Sequence, residues 1–65
     1  MSIGDKIKYL RKIRNMTQKE LGIAVGFDEK NADIRIAQYE AGTRTPKPEL
    51  LRNLQKYSML MFFLL

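Results

Sequence analysis

The chain has 65 residues, which is enough for one domain near the lower size at which a single hydrophobic core is stable without disulfides or metals. It contains no Cys and no His, which excludes disulfides, thiolate or imidazole nucleophiles and the usual zinc sites. Twelve Lys and Arg against seven Asp and Glu give a net charge of +5, which favours an anionic partner, although a soluble domain with an idle basic surface fits charge alone equally well.

No segment of the sequence is typical of membrane insertion or secretion. Asp5 and several Lys and Arg residues follow Ile3 at once, so the N-terminus does not resemble a signal peptide. The longest apolar run covers residues 59–65, far short of the ~20 residues that cross a bilayer. We therefore expect a cytoplasmic protein.

The first predicted helix begins near Ser2, with Asp5 placed for a weak N-terminal cap. Apolar residues then recur at intervals of three and four and form one stripe for the core. The stripe consists of Ile3, Ile7, Leu10 and either Ile13 or Arg14.

The second predicted helix begins with Thr17-Gln18-Lys19-Glu20, which is a capping box. Its core face and its end follow from residue types: Met16 and Leu21 form a hydrophobic staple, Leu21, Ala24 and Val25 face inward, and Gly26 stops the helix. Phe27 is expected to cover the core below the turn. Either Asp28 or Asn31 can cap the next helix.

The third predicted helix spans about residues 32–41 and ends at Gly42. If Ile36 and Tyr39 face inward, helical geometry places four residues on the outward side or its flanks: Asp33, Ile34, Arg35 and Gln38. These side-chain types match groups in the major groove of DNA. Gln binds the N6 and N7 edge of adenine, and an apolar side chain contacts the thymine methyl group. Arg binds guanine or a phosphate, and Asp accepts a hydrogen bond from cytosine N4. For Asp33 the alternative is purely structural, since an acid in a first turn complements the helix dipole.

A loop and a fourth helix follow. Two prolines block helix continuation after Gly42, Pro48 suits the first helical position, and Glu49 suits the first turn. The core stripe of this helix comprises Leu50, Leu51, Leu54 and Tyr57. The loop cations Arg44 and Lys47 are placed to meet phosphates or are idle surface charges.

The order and spacing of these residues, from about Ile7 to Leu54, resemble the Cro–repressor type helix-turn-helix family of phage and bacterial regulators. The residues that carry the resemblance are Leu10-Arg11, Thr17-Gln18-Lys19-Glu20-Leu21, Gly26, Ile36-Ala37-Gln38-Tyr39-Glu40-Ala41-Gly42, Arg44 and Pro46. It implies a small all-α, lambda-repressor-like bundle of four to five helices, with a DNA-binding domain over residues 1–58. It also implies that Gln18 holds a phosphate, with Thr17 beside it, that Arg44 touches the DNA backbone, and that Asp33, Ile34 and Gln38 face base edges.

The resemblance further implies an ion pair between Arg11 and Glu40. Physical chemistry favours the same pair, because a carboxylate next to buried Ile36 and Tyr39 carries a desolvation penalty unless a cation compensates it. Arg11 follows Leu10 at the edge of the buried stripe, so its side chain can reach the Glu40 carboxylate.

The sequence departs from the family pattern in three ways. Gly22 stands where a small Ala is usual, which lowers helix propensity by up to ~1 kcal/mol. Ala37 replaces the commoner Ser or Thr. The connection from Gly26 to Ile36 is about four residues longer than usual, so the insertion at residues 27–31 either extends the recognition helix or loops out beside it.

We therefore predict a non-enzymatic protein without a cofactor or metal that binds double-stranded DNA as a transcriptional repressor. The apolar tail, residues 59–65, is a possible fifth helix or homodimer contact, or else a frayed end. The alternatives are an antitoxin-like module that uses this tail on a partner protein, and a peripheral membrane protein. The sequence gives no information about the operator, the sign of regulation or any small-molecule inducer.

Overall fold

The computed structural model describes residues 2–57, apart from the side chains of Gln55 and Tyr57. Over this range the chain is all-α with four helices and no strand, which confirms the predicted fold class. The helices are α1 (Ile3–Ile13), α2 (Gln18–Ala24), α3 (Ala32–Ala41) and α4 (Pro48–Tyr57). The predictions for the Tyr57 side chain and for the apolar tail (residues 59–65) lie outside the described residues.

Capping boxes begin the first two helices. In α1 the Asp5 N–H donates to Ser2 Oγ at 3.1 Å, and the Ser2 N–H donates to Asp5 Oδ2 at 3.3 Å. In α2 the Glu20 N–H donates to Thr17 Oγ1 at 3.0 Å, and the Thr17 N–H donates to Glu20 Oε1 at 2.8 Å. The reciprocal bonds satisfy amides that a helix start leaves without partners, so both starts follow from local sequence.

The first three helices end in the same way. The residues that follow them adopt positive φ angles of 54° at Asn15, 105° at Gly26 and 81° at Gly42. After each one, the next amide donates to a carbonyl five positions earlier at 2.9–3.0 Å, which is the Schellman arrangement. The two glycine stops were predicted, whereas the stop at Asn15 was not.

The long connection between α2 and α3 loops out and does not extend α3. Residues 27–31 lie outside both helices, and α3 begins at Ala32. An exposed ion pair joins Lys19 of α2 to Glu29 of this connector at 3.2 Å. The third helix therefore has the predicted bounds of 32–41.

The start of α3 differs from the capping prediction. Asn31 precedes the first helical residue, but its side chain makes no capping hydrogen bond, and Asp28 contributes only its backbone carbonyl, which accepts from the Asn31 N–H. Instead, Asp33 Oδ1 accepts from the Ile34 N–H at 2.9 Å. The Asp33 carboxylate in the first turn thus satisfies a backbone N–H at the start of the helix, which is the role expected of a cap residue.

The hydrophobic core gathers around the inner face of α3. It consists of Ile7, Leu10, Leu21, Val25, Ile36, Tyr39, Leu50 and Leu54. Four partly buried apolar residues pack against it: Ile3, Met16, Phe27 and Leu51. The Phe27 and Tyr39 ring centroids are 6.1 Å apart, so Phe27 covers the core below the turn as predicted.

Neither candidate extends the α1 stripe beyond Leu10. Ile13 is 40% exposed, and Arg14 is also exposed. The chain reverses at Asn15, whose left-handed backbone ends α1, so these two positions lie beyond the edge of the core. The predicted extension of the stripe is therefore wrong.

Two glycines allow helix backbones to approach closely. A Cβ at Gly22 would lie 2.5 Å from the Ala32 carbonyl oxygen and 2.7 Å from Ala32 Cβ. A Cβ at Gly4 would lie 2.5 Å from the Tyr39 carbonyl oxygen, near the end of α3. The absence of a side chain at Gly22, which lowers helix propensity, is what lets the start of α3 pack on α2.

Candidate nucleic-acid interface

α3 has a buried face and an outward face. Ala32 and Ile36 are fully buried and Tyr39 nearly so, whereas Ile34 is 53% exposed. With 3.6 residues per turn, the residues opposite the buried face form one strip along the helix. We call Ile34, Ala37, Gln38 and Ala41 the outward strip.

The four residues predicted to read bases occupy different parts of this surface. Ile34 and Gln38 belong to the outward strip, with Ile34 exposed and Gln38 half-buried. Helical geometry places exposed Asp33 and half-buried Arg35 on opposite flanks. The Asp33 carboxylate accepts from the Ile34 N–H, which is the structural role that the sequence allowed for it.

Sequence reasoning did not single out Ala37 and Ala41 as parts of this surface. Both side chains are small and project little from the helix, so Gln38 projects beyond these two neighbours on the strip. The signal that would have found them is the i, i+3, i+4, i+7 spacing from Ile34 to Ala41, which defines one face of a helix.

The Arg11–Glu40 ion pair is present and bidentate. Arg11 Nε donates to Glu40 Oε2 at 2.7 Å, and Arg11 Nη2 donates to Glu40 Oε1 at 3.2 Å. Arg11 Nη1 also donates to the Met16 carbonyl oxygen at 3.1 Å. The two charged side chains are 16% and 7% exposed, so the pair lies largely out of solvent and ties α1 to α3.

Gln18 joins this pair from the start of α2. Its Nε2 donates to Glu40 Oε1 at 3.3 Å, and the side chain is half-buried. A side-chain amide carries two N–H donors, so one remains for a ligand after this bond. Glu40 thus positions an amide donor on one flank of α3. The sequence did not predict this bond.

Thr17, the other residue expected at this end of α2, is exposed, but its polar groups are already engaged. Its N–H and hydroxyl form the capping box with Glu20. Hydrogen bonds from the Thr17 backbone and, second, from its side chain lower the pKa of Glu20. The structure therefore gives Thr17 a defined structural role.

The cations on the other flank are held close to the end of α3. The Gln38 carbonyl oxygen accepts from the Thr43 N–H at 3.0 Å and from Thr43 Oγ1 at 3.2 Å, which fixes the following loop to the last turn. Arg44 and Lys47 of this loop are exposed. They line one groove together with Arg35.

The arrangement thus has three parts: the outward strip with the Gln38 amide, the Gln18 amide donor on one flank, and three cations on the other flank. Between residues 2 and 57, no group of three or more acidic residues is placed to hold a metal ion. No helix within the same range has the length and apolar character needed to cross a membrane.

Comparisons with protein-family models, with curated proteins and with solved structures found no match to this chain.

Proposed function

We propose that this protein is a sequence-specific double-stranded DNA-binding protein that acts as a transcriptional repressor. The observation that carries the proposal is the outward strip of α3, which presents exposed Ile34 and half-buried Gln38 opposite the buried face. The major groove of B-DNA admits an α-helix and displays a distinct donor and acceptor pattern for every base pair. A helix face on which the Gln38 amide projects beyond two neighbouring alanines has the shape and chemistry for this groove.

Within the groove, each residue of α3 has a defined role. Gln38 binds the N6 and N7 edge of adenine with both ends of its amide, and Ile34 contacts a thymine methyl. Arg35 lies on the flank, which favours a phosphate or the outermost guanine over a base at the centre of the site. Asp33, held at the helix start, accepts from cytosine N4 only through the carboxylate oxygen left free by the Ile34 bond.

Phosphate contacts on both flanks set the position of α3 along the groove. Gln18 supplies its remaining amide N–H, next to Thr17, which stays engaged in the capping box, and Arg44 and Lys47 supply charge from the other side. The net charge of +5 adds attraction to any duplex, so sequence preference must come from α3.

We also propose that the chain belongs to the Cro–repressor type helix-turn-helix family and acts in the cytoplasm as a homodimer. The helix order, the Arg11–Glu40 pair and the bounds of α3 support the family proposal. The seven apolar residues of the tail (59–65) are the proposed dimer contact. A dimer of this type reads two half-sites about one turn of DNA apart.

The experiment that tests the function is a selection of bound duplexes from random double-stranded DNA at a fixed salt concentration. We expect the parent to enrich one palindromic motif with half-sites about 10 base pairs apart. Gln38→Ala removes the adenine contact, so we expect discrimination at one position of each half-site to fall by about 1–3 kcal/mol.

Lys8→Ala is the matched control, because Lys8 is exposed on α1 and is not one of the proposed DNA contacts. Thermal melts of all three proteins establish that each is folded. The proposal fails if the parent enriches no motif, or if the folded Gln38→Ala variant enriches the parental motif unchanged.

A further inference from the structure

A groove of about 370 Å³ opens between α3, the loop after it and the start of α4. The apolar part of its lining comes from Val25, Phe27, Tyr39 and Leu50. Phe27 and Tyr39 place two aromatic rings there, 6.1 Å apart and inclined by 30°. Pockets that bind small organic molecules begin at about 300 Å³, so this groove suits a ligand of one or two rings.

The polar part of the lining is strongly unbalanced in charge. It contains three cations, Arg35, Arg44 and Lys47, against one carboxylate, Glu49. Among residues 2–57, no ion pair neutralises any of these three cations. Like charges gathered at one concave site attract an anion, and guanidinium groups bind carboxylates and phosphates with two parallel hydrogen bonds.

We propose that this groove is a binding site for a small amphipathic organic anion. The apolar body of the ligand contacts Phe27 and Tyr39, and its carboxylate, sulfonate or phosphate group pairs with Arg44, Lys47 and Arg35. Both features are required, because an apolar body without charge leaves the cations unpaired, and a bare inorganic anion leaves the apolar lining uncovered.

A regulatory consequence rests on the proposed function. The three cations that hold the anion are also proposed DNA contacts, so the ligand and a DNA phosphate compete for the same groups. The bound ligand therefore weakens DNA binding, and by linkage DNA weakens ligand binding to the same degree. Through this coupling a free organic anion acts as an inducer.

The test begins with the free full-length protein and no DNA. Backbone and aromatic NMR signals are followed as 8-anilinonaphthalene-1-sulfonate is added, with neutral 1-naphthalenemethanol and inorganic phosphate as separate comparison ligands. We expect saturable shifts centred on Phe27, Tyr39 and Arg44. We expect the sulfonate to bind at least about tenfold more tightly than either comparison ligand, because only it makes both kinds of contact.

A double variant, Arg44→Gln with Lys47→Gln, removes two exposed loop cations and is expected to lower the sulfonate affinity by about tenfold or more. Its control, Lys8→Gln with Lys12→Gln, makes the same change in net charge on exposed positions of α1 and leaves the affinity unchanged. Shifts centred outside the groove, equal binding of the neutral alcohol, or equal losses in the two double variants would overturn the site.

The second arm measures the apparent Kd of the parent for its selected duplex with and without saturating sulfonate. We expect the Kd to rise, and an unchanged Kd overturns the regulatory consequence. The two proposals fail separately: a protein that binds the sulfonate in the groove but selects no DNA loses the proposed function, and one that selects DNA but shows no groove shifts loses the ligand site.

Discussion

At the scale of single residues, Glu40 is where three helices meet. Its carboxylate, on α3, receives Arg11 from α1 and Gln18 from the start of α2. A side chain only 7% exposed has lost most of its hydration, and these donors replace it. Because one of the donors is a proposed phosphate contact, the same carboxylate ties the helices together and orients part of the proposed DNA-binding surface.

Removing Arg11 is therefore expected to be costly. Arg11→Ala leaves the buried Glu40 with a single amide donor, and loss of one partner of a buried ion pair typically costs about 3–5 kcal/mol. Urea and thermal melts measure the change, and Glu40→Ala is expected to give a similar loss. Lys19→Ala is the control, because it breaks an exposed pair that contributes about 0–1 kcal/mol. Arg11→Ala and Glu40→Ala proteins as stable as the parent would contradict this account.

Glu20 makes stability depend on pH. Hydrogen bonds from Thr17 lower its pKa below the ordinary value of 4.5, so the folded state binds this proton more weakly than the unfolded state. The ionised Glu20 carboxylate therefore contributes its full stabilisation above that value and loses it as the pH falls through the lowered pKa. Urea midpoints between pH 6 and pH 3 should fall less steeply for Glu20→Gln, which keeps the capping geometry without a titrating group. Parallel pH curves for the two proteins would rule out the contribution.

At the scale of helices, local chemistry predicted most boundaries correctly. The capping boxes at Ser2 and Thr17 and the stops at Gly26 and Gly42 each depend on residues within one or two turns. The stop at Asn15 was missed, because Asn adopts the left-handed conformation only in some of its contexts. How the connector folds was also undetermined, since its residues suit either a loop or a further helical turn.

Gly22 shows why helix propensity alone misleads at this scale. Gly22→Ala raises the propensity of α2 by about 1 kcal/mol, yet its Cβ would lie 2.5 Å from the Ala32 carbonyl oxygen. The atom in the way is backbone, so α3 must shift, and we expect a net destabilisation of about 1–3 kcal/mol by urea unfolding. Ile23→Ala is the control, because Ile23 is 48% exposed and its truncation should change stability by less than about 0.5 kcal/mol. A Gly22→Ala protein more stable than the parent would show that the two helices do not need this close approach.

At the scale of the whole molecule, the candidate interface depends on contacts between elements that are distant in sequence. Gln18 bonds to Glu40 across 22 positions, and the groove brings Arg35 of α3 together with Lys47 of the following loop. Periodicity predicts which side of a helix faces outward, so Ile34 and Gln38 could be found from the sequence. Which flank the loop cations Arg44 and Lys47 occupy depends on how the loop and α4 pack against α3, and no local pattern specifies that.

If DNA is the partner, the binding affinity must fall with salt concentration, and more steeply the more phosphates the cations of the protein neutralise. We expect log K to fall linearly with log salt concentration, by about 0.9 for each phosphate neutralised. Arg44→Gln removes one exposed loop cation that the fold does not use in an ion pair within residues 2–57, so its slope should be shallower by about 0.9 with the selected motif unchanged. Lys8→Gln loses the same charge from exposed α1 and should keep the parental slope, which separates a local contact from a general effect of net charge. Equal slopes for the parent and Arg44→Gln would remove this loop from the DNA interface while leaving the role of α3 to the selection experiment.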